Sequence, residues 1–154
     1  MIDGINLSKV TDWVKDRIPG IVPPLDFELI AGGHSNLTYK FTDTQGSAYV
    51  LRRPPLGHVL ESAHDMGREH RIVSALSGSS VPVAPTHGLC EDADVNEAPF
   101  YLMGFVSGVV LHDQRPAQKM REVERRSFGL HAIEVLSDLH LIDPGDVGLG
   151  QLGR

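Results

Sequence analysis

From Leu37 to Arg52 the chain is committed to an antiparallel hairpin. Leu37, Tyr39 and Phe41 alternate with Thr38, Lys40 and Thr42, the period of a half-buried strand. Thr44-Gln45-Gly46 turns the chain back, and Ala48-Tyr49-Val50-Leu51-Arg52 is the returning strand. An earlier apolar run, Phe27 to Ile30, enters through Gly32 and Gly33, which lack a Cβ and can take φ > 0. Alternation puts Ala48, Val50 and Arg52 on one face of the returning strand, and Tyr49, Leu51 and Arg53 on the other. A glycine loop with free backbone N–H groups, backed by a strand cation, is one way to hold a phosphate. An ordinary hairpin with a Gly-Gly bend explains the same residues equally well.

Around this hairpin the remaining elements are legible by period. Leu7, Val10, Val14 and Ile18 recur at helical steps, with Trp13 beside them, until Pro19-Gly20 stops the helix. Val22-Pro23-Pro24 is an extended connector. Pro54-Pro55-Leu56-Gly57 ends the third strand. A helix is expected from about Leu60 to Leu76, with Ser62 and Asp65 at its start, the stripe Met66, His70, Val73 and Leu76, and Gly78 as its stop. Glu69 and Ile72 flank that stripe. Thr86 to Glu91 and Pro99 to Val106 are two strands joined by a polar turn over Asp92–Glu97. From about Gln118 to Leu141 a last helix has Phe128, Ala132, Val135, Leu136 and Leu139 on its apolar face. The fold class is α+β: a five-stranded antiparallel sheet with one packed helix, preceded by an N-terminal helix. The expected divisions are 1–24 for that helix and its linker, 25–111 for the sheet lobe, and 112–154 for a segment that begins something further.

Bulk properties narrow the chemistry. The 154 residues suffice for one modest core, and a net charge of −6 argues against nucleic-acid or membrane-surface binding. No apolar run is long enough to span a bilayer and no secretory signal is visible at the start. The single cysteine, Cys90, excludes an internal disulfide and fits a reducing cytoplasm, the expected location. His58, His64 and His70 are evenly spaced by six, which scatters them around a helix axis, so no metal site is expected. Gly-x-Ser-x-Gly is missing, Cys90 reads as core, and Gly32-Gly33 leads into a strand, which disfavours a dinucleotide fold. The sharpest remaining constellation is Gly32-Gly33, Arg52 and Glu69. A carboxylate on a packed helix could orient a guanidinium bidentately, although Arg68, Glu69 and Arg71 also fit a solvated helix face.

Taken together and in order, several motifs resemble the aminoglycoside phosphotransferase-like kinases. They are Gly33-His34-Ser35-Asn36-Leu37-Thr38-Tyr39, Tyr49-Val50-Leu51-Arg52-Arg53-Pro54-Pro55, Arg68-Glu69-His70-Arg71-Ile72-Val73, Pro99-Phe100-Tyr101-Leu102-Met103 and Leu139-His140. The nearest branch is the one also found fused to acyl-CoA dehydrogenase domains. The resemblance implies a protein-kinase-like N-terminal lobe plus hinge, followed by the first helix of a C-terminal lobe. It implies that Gly32, Gly33, His34, Ser35 and Asn36 form a nucleotide-phosphate loop. Arg52 takes the place of the strand lysine, with Glu69 as its helix partner. Val50 lines the adenine slot, and Met103, Gly104, Phe105 and Val106 are the hinge. The implied cofactor is ATP or GTP with magnesium, and the partners are that nucleotide and an unidentified small-molecule acceptor. The family's catalytic and magnesium-binding aspartates belong to the C-terminal lobe. Only Asp143 and Asp146 follow His140, in a turn without the matching motif, so no catalytic residue is assigned and the chain on its own is expected to be inactive. The alternative is a non-catalytic module that self-associates through an exposed apolar hinge face. An acyl-CoA dehydrogenase name could also be inherited from the fused relatives, but no residue here points to flavin or acyl-CoA chemistry.

Overall fold

The computed structural model describes residues 2–31, 36–57, 64–110 and 117–152. The elements run α1 (Leu7–Lys15), β1 (Asp26–Ala31), β2 (Leu37–Thr42), β3 (Ala48–Arg53), α2 (Met66–Leu76), β4 (Thr86–Cys90), α3 (Ala93–Asn96), β5 (Phe100–Gly104) and α4 (Glu122–Leu141). They form two compact units, one of Met1–Ser74 with Ala84–Phe105 and one of Ala75–Val83 with Val106–Arg154.

The first unit holds a five-stranded antiparallel sheet in the order β1-β2-β3-β5-β4. β5 thus lies between β3 and β4 rather than at the edge. Asp43 makes the β2–β3 turn: its carboxylate accepts from the backbone N–H groups of Gln45 (2.9 Å), Ser47 (2.8 Å) and Val22 (3.2 Å). Burial pushes that carboxyl up, but the backbone donors outweigh it and hold the group below its ordinary pKa.

The core lies between one face of the sheet and α1. Val10 and Val14 are fully buried, with Ile18 next to them, against Phe27, Tyr39, Phe41, Leu51, Phe100 and Leu102 from alternate strand positions. Trp13 meets Phe100 edge-on at 5.0 Å, and Phe41 stacks between Phe27 and Tyr49 at 5.0 and 5.5 Å. Arg53 is buried on this side, where it donates to Pro54 O (3.2 Å) and to Gly4 O, while Tyr39 Oη donates to Asp3 O at 2.6 Å. These bonds pin the N-terminal segment over the sheet.

α2 covers the opposite face. Its first turn is capped by Asp65, whose Oδ1 accepts from the Arg68 N–H at 2.8 Å. The expected start near Leu60 with a Ser62 cap is corrected where it can be seen: residues 64 and 65 are not helical, and 60–63 lie outside the described residues. The expected polar turn at 92–97 contains the short helix α3, capped by Asp92. In the second unit α4 starts at Glu122, later than expected. There the Glu124 carboxylate accepts from the Arg121 backbone N–H at 2.8 Å and from its guanidinium at 2.7 and 3.0 Å, and none of the helix residues is buried.

Candidate functional site

Register sets the site. On the α2 face, Thr38 pairs with Arg52 and Arg52 with Tyr101, so three polar side chains form one row across β2, β3 and β5. The next row toward the end of β5 is Lys40, Val50 and Met103.

Glu69 reaches the first row from the middle of α2. Its Oε2 accepts from Arg52 Nε at 2.6 Å and from the Tyr101 hydroxyl at 3.3 Å. Its Oε1 accepts from Asn36 Nδ2 at 2.5 Å and lies 3.5 Å from an Arg52 terminal nitrogen. Arg52 also donates to Thr38 Oγ1 at 2.8 Å. Asn36 is buried just before β2, and its Oδ1 lies 2.6 Å from His64 Nδ1. About a third or less of the Arg52 and Glu69 side-chain surface is exposed, 27 and 32% respectively, so the guanidinium is oriented yet open to solvent. Burial, then the Glu69 charge, pushes the Tyr101 hydroxyl up to about 12, against the opposing effect of Arg52.

Val50 is buried beside Met103 in the second row. Gly104 follows Met103 closely against Pro85: a Cβ there would stand 3.0 Å from Pro85 Cγ, and its N–H donates to Pro85 O at 2.8 Å. That N–H is therefore already engaged. Phe105 presents its ring to Lys40 Nζ, 4.8 Å from the ring centroid. Val106 is exposed and falls in the second unit.

Of the residues expected at the site, the structure brings together Asn36, Arg52 and Glu69, and separately Val50 with Met103. Gly32, Gly33, His34 and Ser35 lie outside the described residues. Thr38, Tyr101 and His64 were not anticipated. The first two are direct cross-strand neighbours of Arg52, a signal that the hairpin register carries once β5 is placed beside β3. Among the described residues no group of His, Cys, Asp and Glu could hold a metal ion, and no helix is long and apolar enough to cross a membrane. A cavity of about 800 Å³ is lined by Arg53, His64, Asp65, Glu91 and Glu97 among others, and of the network residues it touches only His64.

A five-stranded antiparallel sheet whose third strand carries a cation, held by a carboxylate from the helix that follows, is a protein-kinase-like N-terminal lobe. Comparison with known proteins agrees. The family model described as "Phosphotransferase enzyme family" matches residues 26–154. The chain is 36% identical over 134 residues to mouse (Mus musculus) acyl-CoA dehydrogenase family member 10, covering 85% of this chain and 12% of that protein. It is likewise 36% identical over 124 residues to acyl-CoA dehydrogenase family member 11 of Gallus gallus, covering 80% of this chain and 16% of that one. A crystal structure from Ralstonia eutropha, described provisionally as an aminoglycoside phosphotransferase, superposes with a TM-score of 0.77 at 34% identity, over 95% of this chain and 41% of its own. The chain belongs to the phosphotransferase enzyme family. It spans less than a fifth of the length of the two acyl-CoA dehydrogenase family members and under half of the solved structure.

Proposed function

We propose that this chain is the nucleotide-binding lobe of a small-molecule phosphotransferase that uses ATP or GTP with magnesium. The observation that carries this reading is the Arg52 guanidinium. It is held by Glu69 at 2.6 Å and Thr38 at 2.8 Å while still partly exposed. A planar cation locked on two sides keeps its remaining N–H groups aimed in one direction, which suits phosphate oxygens. The paired Val50 and Met103 give an apolar floor for the base one strand step away. Backbone groups of the segment from Met103 to Val106 would hydrogen-bond its edge, with Gly104 limited to its carbonyl. Gly32 to Asn36 would cradle the phosphates. The magnesium that accompanies the nucleotide would supply charge neutralisation on its phosphates.

In this reading the 154 residues bind nucleotide and do not transfer its phosphoryl group unaided. No residue of the sequence matches the aspartates that the family uses for that step. The acyl-CoA dehydrogenase names of the relatives belong to much longer proteins.

Calorimetric titration with ATP and GTP in magnesium tests the proposal. Binding to the wild type should fall at least about tenfold in Arg52→Met, the loss of one charge-assisted contact, while adenosine affinity stays level. A wild-type chain that binds neither nucleotide would overturn the reading.

A further inference from the structure

The hydrogen-bond chain at Glu69 extends to a residue that the phosphate cradle does not use. Asn36 Nδ2 donates to Glu69 Oε1 at 2.5 Å, and Asn36 Oδ1 lies 2.6 Å from His64 Nδ1. A carboxylate can only accept, so the amide nitrogen must face Glu69 and the amide oxygen must face His64. An amide oxygen also only accepts. His64 Nδ1 therefore carries a proton, and every role is set: His64 donates to Asn36, Asn36 to Glu69, and Arg52 to the other oxygen of Glu69.

We propose that His64 is a positioning residue for nucleotide phosphate binding, acting through Asn36 on the Glu69–Arg52 pair. The inference rests on the phosphate-cradle reading above. Asn36 immediately precedes β2, and His64 stands two residues before α2. The relay thus ties the strand that leaves the glycine loop to the helix that carries Glu69. Glu69 fixes the sense of the Asn36 amide, and His64 holds its other end. Without the imidazole donor the buried amide oxygen loses its partner and the amide is tethered at one end only, so it can swing away from Glu69 and leave the carboxylate short of a donor. Arg52 depends on that carboxylate for its direction. The effect should fall on phosphates and spare the base.

Three substitutions distinguish this role from a merely structural one. His64→Asn places an amide N–H near the position of Nδ1, whereas His64→Gln places one near Nε2. In calorimetric titrations with ATP and with adenosine, His64→Ala should weaken ATP about tenfold and leave adenosine within about twofold. His64→Asn should recover most of the ATP affinity and His64→Gln should not. Should His64→Ala fail to fold, the Asn–Gln contrast carries the test. Equal losses for ATP and adenosine, unchanged ATP affinity in His64→Ala, or equal rescue by Gln and Asn would each overturn the role of His64 while leaving the cradle standing. Failure of the wild type to bind ATP would instead remove the cradle, and the relay with it.

Discussion

Tyr101 shows how much of this site is decided by single side chains. It is 3% exposed, and its hydroxyl donates to Glu69 Oε2 at 3.3 Å. Burial and the adjacent carboxylate both favour the protonated phenol, raising its pKa from 10.0 to about 12. Between those values the folded chain keeps a proton that the unfolded chain releases. The stability tied to this group is therefore intact below about 10 and is lost as pH rises from about 10 to about 12. In an alkaline absorbance titration the wild type should show a phenolate component near 12 that Tyr101→Phe lacks. The same variant should lose about 1 kcal/mol in denaturant unfolding at neutral pH, the usual worth of one hydrogen bond. A Tyr101→Phe titration that keeps the late component would place the shifted phenol elsewhere. Period-two alternation alone separates Arg52 from Arg53, so the direction of Arg52 was legible in the sequence. Its partnership with Tyr101 was not, because that depends on β5 lying beside β3, and strand order leaves no mark on local periodicity. His64 falls within the helix expected from about Leu60, and nothing in its spacing from Asn36 announces a contact.

At the scale of elements, the same limit appears in α1. Its apolar stripe, Val10 and Val14 with Ile18 just past its end, marks a helix with one buried face, but periodicity names no partner for that face. The structure supplies one. α1 closes the side of the sheet that faces away from Arg52, so each face of the sheet carries a helix, one for packing and one for Glu69. This division frees the α2 face to carry polar residues. The hydrophobic requirement of the sheet is met by α1, and the row Thr38–Arg52–Tyr101 need not be apolar. Val14→Ala removes two methyl groups from a site with no exposure, and should cost about 2 kcal/mol in urea unfolding from lost burial and the residual cavity. A cost below about 0.5 kcal/mol would mean that the sheet does not depend on α1 for its core.

At the scale of the whole molecule, the core and the candidate site share one unit. The core cluster runs from Ile5 to Leu102, and Asn36, Arg52, His64, Glu69 and Tyr101 lie inside the same span. In the other unit α4 has no buried residue, and Phe128, Ile133, Leu136 and Leu141 are exposed. The sequence showed α4 as a helix through its period, while its apolar face made it look like a packed one. What such a face packs against is a tertiary fact outside the reach of periodicity. Folding stability should therefore reside in the first unit. A fragment of residues 1–108 keeps the whole core cluster, all five strands, and α2 with the turn after it. Its thermal midpoint should fall within about 5 °C of the full chain, a change of about 1 kcal/mol for a domain of this size, with a single cooperative transition in circular dichroism. ATP affinity should stay within about threefold, since the network around Arg52 is retained intact. A fragment that melts without cooperativity would show that α4 stabilises the sheet. One that folds but loses ATP would move part of the binding energy beyond residue 108.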